Sequence, residues 1–136
     1  MADPTYASFV SALSGLSVTG VTRKVSQPPR QVNTAELPLQ YTQLPTGEEE
    51  SRSRDHPGGW LTITCEVVVL LEPILQSTQT LNYAATVAMM DNLSAALRAT
   101  DFARSRNRWT IRGSLVNLGN DTVYWGVVAR VSNNHL

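Results

Sequence analysis

The run from Trp60 to Arg98 limits what this chain can become more than any other stretch. Leu61, Ile63, Cys65, Val67, Val69 and Leu71 fall on every second position between Trp60 and Glu72. The intervening register holds Thr62, Thr64 and Glu66 before turning apolar at Val68 and Leu70. A period of two rich in β-branched residues predicts a strand with one buried face. From Gln76 to Arg98 the chain has no Pro or Gly and is rich in Ala, Leu and Met, which predicts a helix. At 100° per residue, Ala85, Met89, Met90, Leu93, Ala96 and Leu97 share one side, with Asp91, Ser94 and Arg98 opposite. Asn82 and Thr86 interrupt the apolar side. A long strand feeding a long helix that lies across its sheet is the expected framework.

The remainder is short enough to belong to the same body. At 136 residues the chain fits one domain over 1–136. Charged residues make up only 16% of the sequence and the formal net charge is zero. Self-repulsion therefore does little to keep copies apart. No apolar run approaches the roughly 20 residues of a membrane span, so no membrane partner is expected. Met1-Ala2-Asp3-Pro4 lacks the basic start and apolar core of a signal peptide. A single cysteine excludes an internal disulfide framework and fits a reducing compartment.

Before the framework, Tyr6, Phe9, Val10 and Leu13 have helical spacing. Asp3 is placed as cap, Pro4 suits the first position, and Gly15 ends the helix. Leu16 to Val25 reads as a first strand, with Gly20 at a bulge. Gln27-Pro28-Pro29-Arg30 must leave the sheet, because proline cannot donate to a ladder. Leu37, Leu39 and Tyr41 alternate as a second strand. From Leu44 to Gly59 nothing beyond Pro45 is strongly apolar, so burial cannot offset the entropy of ordering and a long mobile arm is expected. After the helix, Thr100 to Arg108 reads as a polar connection. Trp109–Leu118 and Thr122–Val131 form a hairpin about Gly119-Asn120-Asp121, and Ser132 to Leu136 is a polar tail. This order predicts an α+β fold: a two-layer sandwich whose mostly antiparallel sheet of about five strands carries two helices on one face and a long β-hairpin loop.

A catalytic reading finds little to stand on. His56 lies in the arm and His135 beside the C-terminus, neither with a carboxylate or cysteine at ligand or triad spacing. Cys65 shares a register with Ile63 and Val67, as a packing thiol would. Glu66 and Glu72 flank a strand and have no obvious partner carboxylate. Gly58-Gly59 precede a strand, whereas a phosphate loop precedes a helix. No cofactor or metal and no enzymatic activity are expected.

Charge layout says more. The arm holds Glu48, Glu49, Glu50 and Asp55 against Arg52 and Arg54. From Arg98 to Arg130 there are six arginines against Asp101 and Asp121. Opposite signs on one neutral subunit suit contacts between copies, acidic arm to basic patch. A solvated loop and a solvated arginine face would give the same pattern. Arg104, Arg106 and Arg108 beside Trp109 also resemble a phosphate contact with a stacking aromatic, though a pI of about 6.7 is not that of a dedicated nucleic-acid binder. A monomeric binding module using this arginine loop is the competing reading.

Together these features resemble the tail terminator, or tail completion, proteins of long-tailed bacteriophages. The likeness lies in chain size and in the order helix, strands, long hairpin excursion, strand, long helix, final strands. It lies also in Gly20-Val21-Thr22 leading to Pro28-Pro29-Arg30 and then Val32-Asn33-Thr34-Ala35-Glu36-Leu37-Pro38, a stretch similar to one in phage neck and tail-completion proteins. The resemblance implies a virion protein of the tail or neck, assembled in the host cytoplasm. It would form a homo-oligomeric ring, a hexamer, at the head-proximal end of the tail tube. Such a ring stops tube polymerisation and joins tail to head, with the tail tube protein and a head-completion or connector protein as partners. Genomic DNA would pass through the lumen without specific binding. Glu48, Glu49 and Glu50 would either line that lumen or clasp a neighbouring subunit. Arg52 and Arg54 of the arm, the basic Arg104, Arg106 and Arg108, and Arg30 after its two prolines complete the expected subunit or tube interface. Another neck protein, for head completion or connection, fits the same features.

Overall fold

The spine of the molecule is the strand whose alternation dominates the sequence. In a computed structural model, which describes residues 5–29, 32–50, 60–73, 79–99, 107–118 and 122–133, it spans Trp60–Pro73 and is the fourth strand in chain order. The described elements are α1 (Tyr6–Ser14), β1 (Arg23–Lys24), a 3-10 turn (Thr34–Glu36), β2 (Leu39–Thr42), β3 (Thr46–Glu50), β4 (Trp60–Pro73), α2 (Gln79–Ala99), β5 (Asn107–Asn117) and β6 (Val123–Asn133). The strands lie in the order β1-β2-β4-β6-β5, with β3 also paired to β4. All pairings are antiparallel except β1 with β2.

The α+β sandwich expected from the sequence is the architecture observed, with six strands in place of about five. The additional strand is β3. Thr46 pairs with Thr64, Gly47 with Ile63, Glu48 with Thr62, Glu49 with Leu61 and Glu50 with Trp60. The expected mobile arm is therefore corrected over 46–50: an existing strand edge supplies the backbone hydrogen bonds that its own side chains do not promise. The rest of that arm, 51–59, lies outside the described residues. β2 and β3 take consecutive stretches of the same side of β4, broken at Gln43, whose N–H donates to the Glu66 carbonyl at 2.9 Å.

Both helices pack on one sheet face. Phe9 and Leu13 of α1 and Met89, Leu93, Ala96 and Leu97 of α2 meet Ile63, Cys65, Val67, Val69, Val127, Ala129 and Val131. Thr86 is buried in this layer, on the side where the helical wheel places it, while Ala85, expected on the same side, is exposed. Thr86 Oγ1 donates to the Asn82 carbonyl at 2.7 Å, so its hydroxyl enters the layer already satisfied. The cap of α1 is Thr5, in a reciprocal pair with Ser8; the expected cap, Asp3, and Pro4 lie outside the described residues.

The expected first strand, Leu16 to Val25, shrinks to Arg23–Lys24. Gly20 sits at φ +92° in a turn, not at a bulge, and breaks the line of the chain. Leu16 and Val18 are buried beside α1 without joining the sheet. The opposite, far face has a core of its own: Leu37, Leu39, Tyr41, Val68, Leu70, Tyr124 and Val128, with Val25, Val32, Val116 and Leu118 against it. This explains why the second register of β4 turns apolar at Val68. Val25, Val32 and Leu37 lie against that half of the sheet.

The last two strands are longer than their sequence signals. β5 begins at Asn107, so Arg108 belongs to a strand and not to a connection. β6 runs through Ser132 and Asn133, which the sequence assigned to a polar tail. Asn133 is buried because its side-chain amide continues the ladder: Oδ1 accepts from the Ile63 N–H, and Nδ2 donates to the Leu61 carbonyl at 3.0 Å.

Candidate assembly interface

Alternation along the strands sorts the charged residues before any tertiary contact does. On β4 the odd positions face the helices, so Thr62, Thr64 and Glu66 project from the far face. Through the pairing registers, Thr46, Thr64, Ser132 and Arg108 form one row across the sheet, and Glu66, Arg130 and Thr110 form another. The half of the far face away from Val25, Val32 and Leu37 is thus a polar surface. It carries Glu48 towards one edge and Arg108, Arg112 and Arg130 towards the other.

Within this surface, both Arg112 guanidinium nitrogens reach Glu66 Oε2, at 3.4 and 3.5 Å. Glu66 is therefore paired with a residue two strands away. Thr64 and Ser132 share a hydroxyl hydrogen bond of 2.9 Å. Glu48, Arg108 and Arg130 have no ion-pair partner among the described residues.

Of the interface residues expected from sequence, Glu48, Glu49 and Arg108 are placed. Glu48 and Glu49 lie on opposite faces of β3. Glu49 is on the helix side, where its Oε2 accepts from the Tyr6 hydroxyl at 3.1 Å. Contact with the protein, and then the Glu49 carboxylate, hold the Tyr6 phenol above its usual pKa. A Cβ on Gly47 would stand 2.1 Å from Tyr6 Oη, so the bare glycine is what lets the ring lie over β3. Glu50 pairs with Trp60 at the end of β3. Arg30, Arg52, Arg54, Arg104 and Arg106 lie outside the described residues, as do both histidines. Trp109, expected as a stacking aromatic, is half-buried against the helix-side core. Sequence reasoning passed over Arg112 and Arg130. The two-residue spacing of Arg108, Thr110 and Arg112 was the signal that placed them on one strand face.

Cys65 is buried, and its thiol donates to the Gln43 carbonyl at 3.1 Å. Burial, reinforced by the Glu66 carboxylate, pushes its pKa up to about 11, which leaves it a packing group at neutral pH. Among the described residues no group of three or more His, Cys, Asp or Glu is placed to hold a metal ion. No described helix is long and apolar enough to cross a membrane.

The β5 edge has an apolar margin as well. A groove of about 420 Å³ between α2 and β5 is lined by Tyr83, Val87, Met90, Gly113, Leu115 and Trp125. Tyr83 and Leu115 are 64% and 57% exposed. Across the polar half of the sheet the two outermost described strands are therefore unlike: β3, short and acidic, and β5, long, basic and flanked by exposed apolar side chains. The two-residue β1 is the outer strand of the other half, beside β2. Compared with known proteins, the chain matches no family model and no curated sequence.

Proposed function

We propose that this chain is a virion structural protein of the tail terminator or tail completion kind. In this reading, copies join head to tail into a ring that caps the tail tube and meets the head-side partner. The observation that carries the reading is the unlike pair of edges on one neutral subunit. A heterologous contact repeated about an axis needs two different, complementary surfaces on every copy. The acidic β3 edge and the basic β5 edge supply them, and the exposed apolar margin beside β5 supplies area that a solvated arginine face would not need.

The mechanism is steric rather than chemical. Closure of the ring leaves both edges occupied, and the ring then offers the tube a surface that accepts no further tube subunit. Because β3 is already paired to β4, folding of 46–50 on contact is not part of the mechanism, although a mobile arm is what the sequence predicts there. The test is electron microscopy of growing tail tubes with the chain added. Rings on one end of tubes that stop growing are expected, and reversal of Glu48, Glu49 and Glu50 to Arg removes them. Tubes that grow on uncapped, or capping unaffected by that reversal, would contradict the reading. Rings that bind only a head connector would point to another neck protein.

Exposed Arg108, Arg112 and Arg130 on one open face also favour a second reading, a module that grips phosphates. DNA binding that weakens steeply with salt while the chain stays monomeric would select it.

A further inference from the structure

We infer that the contact between copies is a main-chain one: the outer edge of β3 in one copy pairs antiparallel with the outer edge of β5 in the next, making one sheet continuous across subunits. This rests on the self-association proposed above and specifies its geometry.

Three observations converge on it. The first is direction. β3 and β6 both run opposite to β4, and β5 runs opposite to β6. Two copies set side by side in the same orientation therefore present β3 and β5 to each other antiparallel. The second is vacancy: among the described residues, β5 pairs only with β6 and β3 only with β4, so each has an unpaired outer edge. Such edges attract strands unless something prevents it.

The third observation is charge. Asn107–Asn117 contains Arg108 and Arg112 and no carboxylate, whereas Thr46–Glu50 contains three glutamates and no cation. β5 against β5, or β3 against β3, sets like charges together; β3 against β5 sets unlike charges together. The two edges thus refuse their own kind and accept each other. Face continuity then restricts the register. Thr46 and Glu48 share the far face with Arg108, Thr110 and Arg112, while Gly47 and Glu49 share the helix face with Trp109 and Ile111. Placing Glu48 opposite Arg108 sets Thr46 opposite Thr110 and Gly47 opposite Trp109. Within one copy it is Thr46 that is level with Arg108. The contact therefore carries a stagger of two residues, about 7 Å; a sheet that closes on itself needs its register staggered.

Cysteine cross-linking between separately made full-length variants tests the pairing. Directly opposed antiparallel residues have Cα atoms about 4.5–5.5 Å apart, within disulfide reach. Native Cys65 is buried and stays out of the exchange. Glu48→Cys chains mixed with Arg108→Cys chains under mild oxidation should give a mixed disulfide as the dominant product. Neither variant alone should link, and Glu49→Cys with Arg108→Cys, which point to opposite faces, should lose the product. Self-linking of Arg108→Cys, or equal linking through Glu49→Cys, would overturn the pairing. Rings seen by electron microscopy without the mixed disulfide would overturn the pairing and leave the ring standing. The mixed disulfide in open chains that never close would uphold the pairing and remove the ring. A wild-type chain that stays monomeric with tubes present, and a mixture that does not link, would remove both.

Discussion

The far face of the sheet is two surfaces built on the same strands. At one end Val68, Leu70, Tyr124 and Val128 pack with Leu37, and Val25 and Val32 lie against them. At the other, Thr62, Thr64, Glu66, Arg130 and Arg112 stand open beside Arg108 and Glu48. β4 and β6 cross both halves without interruption. The difference therefore lies in what the chain lays over each half, and β4 alters its side chains at Glu66–Val68 to match. The covered half holds the fold together. The open half is polar and is the surface on which the proposed contact between copies draws.

That contrast makes its largest prediction in stability. Leu70 is fully buried opposite Leu39, so Leu70→Ala should cost about 2–5 kcal/mol in urea unfolding. Thr62→Ala, on the open half, should stay within about 0.5 kcal/mol. Similar losses at both would erase the distinction.

The next effect is with pH. Cys65 titrates at about 11 folded against an ordinary value of 9.0, and Tyr41 at about 12 against 10.0, both raised first by burial and then by Glu66. Groups raised in the folded state contribute stability that is complete below their unfolded pKa. For Cys65 that stability is lost as pH rises from about 9 to 11, by about 2 kcal/mol. Thermal unfolding should show this alkaline decline, and Cys65→Ala should delay it until Tyr41 titrates.

A smaller effect tests how β3 is held. Gly47→Ala should cost about 1 kcal/mol by displacing the Tyr6 ring. In a Tyr6→Ala background the same change should be neutral or stabilising, because alanine then acts mainly on the unfolded chain. Denaturant titration of the four proteins measures that coupling. The smallest effect is at the open surface: Glu66→Gln should cost no more than about 1 kcal/mol, and less in high salt, because the Arg112 pair is solvent-facing.

How far the sequence disclosed this depended on where the information sat. The β4 alternation and the Val123–Val131 alternation are local patterns set by one buried face, and both proved to be strands. β3 has no local pattern, because Thr46-Gly47-Glu48-Glu49-Glu50 has little strand propensity and forms on an edge that β4 provides; only the expected long β-hairpin loop anticipated it. The far-face core was only partly legible because Val25 and Val32 reach it from irregular segments without periodicity. The charged surface was half legible. Its two signs were visible in the arm and in the arginine-rich stretch, but the Glu66–Arg112 pair joins residues 46 apart in sequence. Asn133 was misread for a similar reason: its burial depends on backbone groups of a strand distant in the chain.

The central claim is that two unlike edges of one sheet belong to the same interface between copies. Sedimentation of charge-exchanged chains tests it most directly. Arg108→Glu alone and Glu48→Arg alone should each associate about tenfold or more weakly than wild type, and chains carrying both changes should recover most of the loss. Losses that add up in the double variant, or single variants that associate as wild type does, would contradict it.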